Sequence, residues 1–310
     1  MSTEQIVQTP EQSREERIAQ LSRLVRRLHA SNNVATIILW IVAAIVVVIF
    51  VGVIVYLLLQ GLAYLINPSF YDTSDAGVGR EIFNTFYVLI LAEIFLIPIS
   101  LAAAIYLNEY ARQGPLVTAI QFAAETLAGV PTIVLGLFGF LIFSSSLHLG
   151  FSRLAGALTL LCLGLPLGLR LFGDALASVP RELREGGLAL GATKWRVIRT
   201  VVIPSALPGI ITGVILTAGR IIGEAAALLF TMGLTSPPNV FTLSPFIASD
   251  TLTTHLYFIA GPGAGSSSLT TLQESTIAAG SSALLIALLL IINLAARGIG
   301  RYVQRRLTAA

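Results

Sequence analysis

Residues 34–66 read VATIILWIVAAIVVVIFVGVIVYLLLQGLAYLI, and no charged side chain interrupts them. A helix rising ~1.5 Å per residue needs roughly 20 such residues to cross a hydrocarbon core of ~30 Å, so this run spans a membrane with length to spare. Comparable runs recur at Phe83–Leu107, Ile120–Leu147, Leu154–Leu176, Leu207–Met232 and Ile277–Ala296, which with Val34–Ile66 predicts six spans. Composition agrees: 55% of residues are hydrophobic and 11% charged, where soluble chains carry about a quarter charged residues. Mean hydropathy is +0.85. The fold class expected is an all-α integral membrane protein.

The first run follows about 33 polar and charged residues rather than a short basic patch, so it is expected to be retained, not cleaved as a signal. Within residues 1–33, Ile18, Leu21, Val25 and Leu28 recur at helical spacing among arginines, the pattern of a short amphipathic helix on the inner surface. A solvated basic tail is the competing reading. The remaining boundaries are a first span at 34–66, a membrane domain at 82–296 and a tail at 297–310. The one cysteine, Cys162, lies in the fourth run and forms no disulfide within the chain.

Orientation follows from the positive charges. With both termini cytoplasmic, fifteen of the nineteen Lys and Arg fall inside, Arg80 and Arg153 fall in outer loops, and Arg170 and Arg220 fall in spans. This basic excess matches an anionic lipid bilayer, and no aromatic stacking platform accompanies it that would point to nucleic acid.

The inner connection Val179–Pro208 has room for structure of its own. Pro180 suits the first turn of a short helix, glycines at 186, 187 and 191 interrupt it, Thr193 caps a second helix, and Pro204 is expected to stop that one. Outside, 233–276 is rich in Gly, Ser, Thr and Pro, with an apolar patch around HLYFIA that suits a re-entrant or surface helix.

Catalytic signals are scarce. The histidines His29, His148 and His255 are far apart and divided between the two sides, so no metal site is expected. Gly186–Lys194 approximates a phosphate loop but has Ala and Thr after Gly191 where Lys and a hydroxyl are required. No cofactor is expected on this chain, and any ATP and Mg belong to another subunit.

LREGGLALGATKWRVIRTVVIPSALPGIITGVILTAGRIIGEAAALLF, residues 183–230, resembles the permeases of binding-protein-dependent ABC importers. Their cytoplasmic loop carries Glu-Ala-Ala, three residues, Gly, nine residues, then Ile-x-Leu-Pro; the matching positions are Glu185, Gly186, Gly187, Gly191, Val201, Ile203 and Pro204. Gly-Gly replaces Ala-Ala, which weakens the short helix by up to about 1 kcal/mol per residue. The literal Glu-Ala-Ala at 224–226 lies in a span and lacks the following glycine. ISLAAAIYLNEYA (99–111), LAGVPTIVLGLFGF (127–140), LPLGLRLFGDALASVPRELRE (165–185) and GRIIGEAAALLF (219–230) are similar to the phosphate-specific PstA family within that superfamily. The resemblance covers about 82–296.

That resemblance implies a six-helix type I importer permease with a cytoplasmic coupling helix, a non-enzymatic transport subunit in the cytoplasmic (inner) membrane. It implies a second permease as partner, a separate ABC ATPase dimer and an extracytoplasmic phosphate-binding protein. Glu185, Gly186, Gly187 and Gly191 would couple to the ATPase, Glu185 capping or docking the helix and Gly191 permitting its exit. The substrate-pathway candidates are Arg220, Glu224 and Arg170. Arg220 and Glu224, four apart, are expected on one helix face, about 20 Å into the membrane. A central arginine costs about 2.5–3.5 kcal/mol to insert, so it faces the bundle interior or water. Arg220 would offer bidentate donors to an anion while Glu224 orients it; an intrahelical ion pair or interspan staple is the alternative. Arg170 lies nearer the inner end and could snorkel to the headgroups. Glu93 and Glu125 also fall at membrane depth, and kinking and close packing account for Gly129, Pro131 and Gly136. Another oxyanion, or an ion-coupled secondary transporter, would also use intramembrane charges, but the 185–204 loop has no task in a secondary transporter. A membrane-embedded enzyme is disfavoured because no convergent catalytic set appears.

Overall fold

The structure is a computed structural model describing residues 10–112, 114–234, 241–261, 263–265 and 269–308; side chains are described within these at 29, 32–300 and 302. The regular secondary structure of these residues is all helical. Helix α1 runs Pro10–Leu65 without interruption. No separate surface helix therefore precedes the first span: the amphipathic stretch around Ile18–Leu28 is backbone-continuous with it. The chain divides after Tyr56 into two units. In the first, the apolar side chains of α1 are exposed all round, Trp40 by 73% for example, as expected of a helix whose solvent is lipid or a partner.

The second unit begins at Leu57. Helix α2, Gly79–Ile105, ends in a wide π turn at Tyr106–Tyr110. Helix α3 is Pro115–Gly129 and α4 is Thr132–Gly139, extended by a π turn to Ser146. The predicted single span Ile120–Leu147 is thus two limbs bent by 103°. Pro131 causes the bend: it cannot donate back to α3, and its carbonyl instead starts α4 by accepting from Val134 and Leu135. Five helices are long and apolar enough to cross a membrane, six if the bent pair counts as one span.

Helix α5, Arg153–Ala177, is capped by the Ser152 hydroxyl, which accepts from the Ala155 N–H at 3.2 Å. It packs along α2 through small residues. A side chain at Gly164 would strike Leu96 at 2.6 Å, and one at Gly168 would meet the Ser100 hydroxyl at 2.9 Å. Glycine there brings the two backbones into close contact.

The inner connection forms α6, Arg181–Ala189, and α7, Lys194–Val197. Thr193 caps α7 as expected, its hydroxyl accepting from the Arg196 N–H. Pro204 does not stop the helix. A π turn at Ile198–Val202 leads α7 directly into α8, Ile203–Ile222, and Pro204 sits in the first turn of α8, where its missing N–H disturbs least. Helix α9, Ala226–Thr231, follows a break; α10, Leu252–Ala260, forms from the outer HLYFIA patch; α11 is Thr271–Thr308.

Three apolar clusters hold this unit together. One joins the inner ends of α2, α5 and α8 through Ala104, Phe172, Leu176, Val202 and Ala206. A second gathers Val88, Leu160, Ile221, Leu228 and Met232. The third seats α10 on α2 and α11 through Val78, Leu252, Ile259 and Ile277.

Candidate translocation and coupling sites

Arg220 lies in the last turn of α8, about 26 Å of helix from Ile203. It is exposed and, among the described residues, has no hydrogen-bond or ion-pair partner. Its charge suits a helix C-terminus, where carbonyls lack intrahelical donors. Glu224 is not on the same helix face. Helix α8 ends at Ile222, Gly223 is its C-cap, and Glu224 falls in the break before α9. No ion pair joins Arg220 to Glu224, which corrects the expectation of a shared face and removes the intrahelical staple.

Glu224 is buried and turned to backbone instead. Its Oε1 accepts from the Ala227 N–H at 3.3 Å, and its carbonyl accepts from the Thr253 hydroxyl of α10 at 2.9 Å. The carboxylate thus serves an orphan donor at the start of α9. Behind α9, a side chain at Gly136 would meet the Ala227 Cα at 2.9 Å, so α4 and α9 touch backbone to backbone.

One turn before Arg220, the Thr217 hydroxyl lies 2.8 Å from both Glu93 Oε1 and the Val214 carbonyl, linking α8 to α2 inside the bundle. Glu125 is exposed on α3. Arg170 is also exposed and partnerless among the described residues. It borders a cavity of about 630 Å³ with Asn108, Gln121, Glu125 and Asp174 between α2, α3 and α5. Arg170 is seven residues, about 10 Å, from the end of α5 that leads to α6.

On the inner side, Glu185 and Gly186 are exposed. A side chain at Gly187 would meet Val197 Cγ2 at 2.9 Å, so glycine lets α6 lie against the last residue of α7. Gly191 has φ +78°, the left-handed conformation its sharp exit requires. Leu183, Leu188, Leu190 and Trp195 are exposed, Leu190 by 89%. A loop carrying charges and uncovered apolar side chains is suited to docking.

Sequence reasoning missed three arrangements. Arg153, expected in an outer loop, is fully buried at the start of α5. It donates to Ser249, to the Thr242 and Ser244 carbonyls and to Asn84, and lies 4.7 Å from the centroid of the Tyr87 ring. Second, Glu81, Asp250 and His255 bring ligand atoms within 4.8 Å of one another, with His255 Nδ1 3.0 Å from Asp250 Oδ2 and 3.9 Å from Glu81 Oε1. Burial alone would lower the His255 pKa, but the Asp250 hydrogen bond and the Glu81 charge outweigh it and hold it above 6.5. Third, Arg184 pairs with Glu109 at 3.0 Å. The only signal for any of these was a polar residue at the edge of an apolar run.

Residues 96–309 match the family described as the binding-protein-dependent transport system inner membrane component. The chain belongs to that family. This permease is 36% identical over 294 residues to the probable ABC transporter permease protein YqgI of Bacillus subtilis (strain 168), covering 90% of this chain and 98% of that one. It is 39% identical to the probable ABC transporter permease protein YqgH of the same organism, over 61% of each chain. It is also 39% identical to the phosphate transport system permease protein PstA of Mycobacterium leprae (strain TN), over 53% of each. A solved chain of the MetNI methionine ABC transporter, in inward-facing conformations, shares the fold: TM-score 0.58, 19% identity, 73% of this chain and 95% of that chain. The permease is therefore a multi-pass inner-membrane component of an ABC importer that works with an ATPase and a binding protein, and it is not the ATPase itself.

Proposed function

We propose that this permease forms one half of the translocation pathway of an ATP-driven inorganic phosphate importer. The observation that carries the reading is Arg220, an exposed guanidinium at membrane depth with no partner among the described residues. Facing lipid it would be costly, so a water-filled path or a second permease covers it. A planar guanidinium binds phosphate through two parallel N–H···O bonds. Arg170 offers a second such group nearer the cytoplasm, and the similarity to PstA proteins supports phosphate over other oxyanions. Glu224 shapes the pathway by starting α9 at the break. A YqgH-like chain is the second permease, an extracytoplasmic phosphate-binding protein delivers the ion, and an ABC ATPase dimer holding ATP and Mg docks on the 185–204 loop through Glu185.

The test is purification from membranes with the co-purifying ATPase, then ATP hydrolysis in liposomes with phosphate, sulfate or molybdate and the binding protein. Phosphate alone should stimulate hydrolysis. Stimulation by sulfate or molybdate but not phosphate would leave the importer assignment standing and overturn the substrate.

A further inference from the structure

One side chain ties α6 to the spans. Arg184 reaches back from the first turn of α6 across the corner that follows α5. Its Nη1 donates to the Val179 carbonyl, its Nη2 to the Leu176 carbonyl at 2.7 Å, and its Nε to Glu109 Oε1 at 3.0 Å. The Leu176 carbonyl is in the last turn of α5, where a cation is favoured, and the Val179 carbonyl lies just past its C-cap. Glu109 belongs to the π turn that ends α2, and its side chain is only 7% exposed. Salt screens such a pair weakly, and removing either partner strands the other charge. The far limb of the loop meets the same spot: Lys194 Nζ, at the start of α7, lies 5.2 Å from the Tyr110 ring centroid.

We propose that the Arg184–Glu109 pair is the strut that passes displacement of the coupling helix to α2 and α5, with Arg184 as a positioning residue. The inference rests on the reading of the 185–204 loop as the ATPase dock. Arg184 bonds to the ends of both spans, while Glu185, Leu183 and Leu188 leave the rest of α6 exposed to a partner. A push on that exposed face cannot slide α6 past the spans without breaking three hydrogen bonds together, so it carries the ends of α2 and α5 with it. The close contact at Gly164 and Gly168 makes those two helices move together, and α5 packs in turn on α8, which bears Arg220.

The test uses the whole importer in liposomes. It reads the ATPase retained on purification and the inorganic phosphate accumulated per ATP hydrolysed, with sulfate and molybdate in parallel. Glu109→Gln keeps the shape, the two carbonyl bonds of Arg184 and an oxygen that can accept from its Nε, but removes the buried charge that fixes the pair; it should retain the ATPase fully while ion accumulated per ATP falls about tenfold. Arg184→Ala should fall at least as far, and the double variant no further than Arg184→Ala alone, because the two residues act as one unit. An unchanged yield per ATP in Glu109→Gln, or losses that multiply in the double variant, overturns the strut. Loss of the ATPase from Glu109→Gln overturns it too, since Glu109 would then be a docking residue. Glu185→Lys separates this inference from the reading beneath it. If that variant keeps its ATPase and stimulated hydrolysis, the loop is not the dock and the strut falls with it; if docking is lost there and Glu109→Gln is normal, the strut alone fails.

Discussion

Arg153 and Ser249, 96 residues apart, meet at 2.8 Å, and through that contact the first residue of α5 holds the outer segment 241–249. The guanidinium is buried and solvated by carbonyls, a hydroxyl, an amide and two aromatic rings in place of water. Arg153→Ala would leave the Thr242 carbonyl and the Asn84 side chain unsatisfied, at a cost of ~3 kcal/mol. Earlier thermal unfolding in detergent and faster proteolysis within 241–249 are the expected results; unchanged proteolysis would show that other contacts hold the segment.

Arg220→Gln removes the charge and the bidentate fork while leaving α8 intact. Uptake should be abolished in a complex that still assembles with its ATPase. Arg220→Lys should recover only part of it, because an ammonium binds as a point charge. Normal uptake by an assembled Arg220→Gln complex would take this residue out of the path.

Glu185→Lys reverses the charge on the exposed face of α6. The ATPase should dissociate on purification or lose its stimulated hydrolysis, while thermal stability of the permease changes by less than about 0.5 kcal/mol, as for other surface substitutions.

Gly187→Val tests the contact between α6 and the end of α7. With Val197 Cγ2 2.9 Å from where a β-carbon would lie, the substitution should destabilise the loop by ~1–3 kcal/mol. Val197→Ala in the same chain should return most of that loss, measured as protection of residues 181–197 from hydrogen exchange.

His255 makes the outer face pH-dependent. Its folded pKa is raised above 6.5 beside Asp250 and Glu81, with Arg80 opposing. A raised cationic pKa adds stability in full below the unfolded value, and that stability is lost as pH rises through the folded value. Hydrogen exchange across α10 should therefore quicken as pH climbs above about 6.5 beyond the intrinsic rate, and His255→Gln should flatten the response.

The all-helical membrane fold and the short helices of the 179–208 connection were legible because each rests on local chemistry. About twenty apolar residues suffice for a span, and Gly191 and Thr193 mark a loop by what their own backbone and cap require. Pro131 and Pro204 show the limit of such reading. One bends the chain by 103° and the other sits inside a continuous helix, and the difference lies in the π turn before Pro204.

Only the tertiary structure decided what those charges meet. Spacing of four placed Arg220 and Glu224 on one face, but a helix break at Gly223, pinned by Thr253 from α10, turns the carboxylate toward α9. Arg153 reaches Asn84 and Ser249 over 69 and 96 positions, Arg184 reaches Glu109 over 75, and His255 lies beside Glu81 from a distant helix. Periodicity describes a helix relative to itself. Which buried charge finds which partner depends on how helices pack, and the glycines between α2 and α5 fix that packing through contacts invisible along the chain.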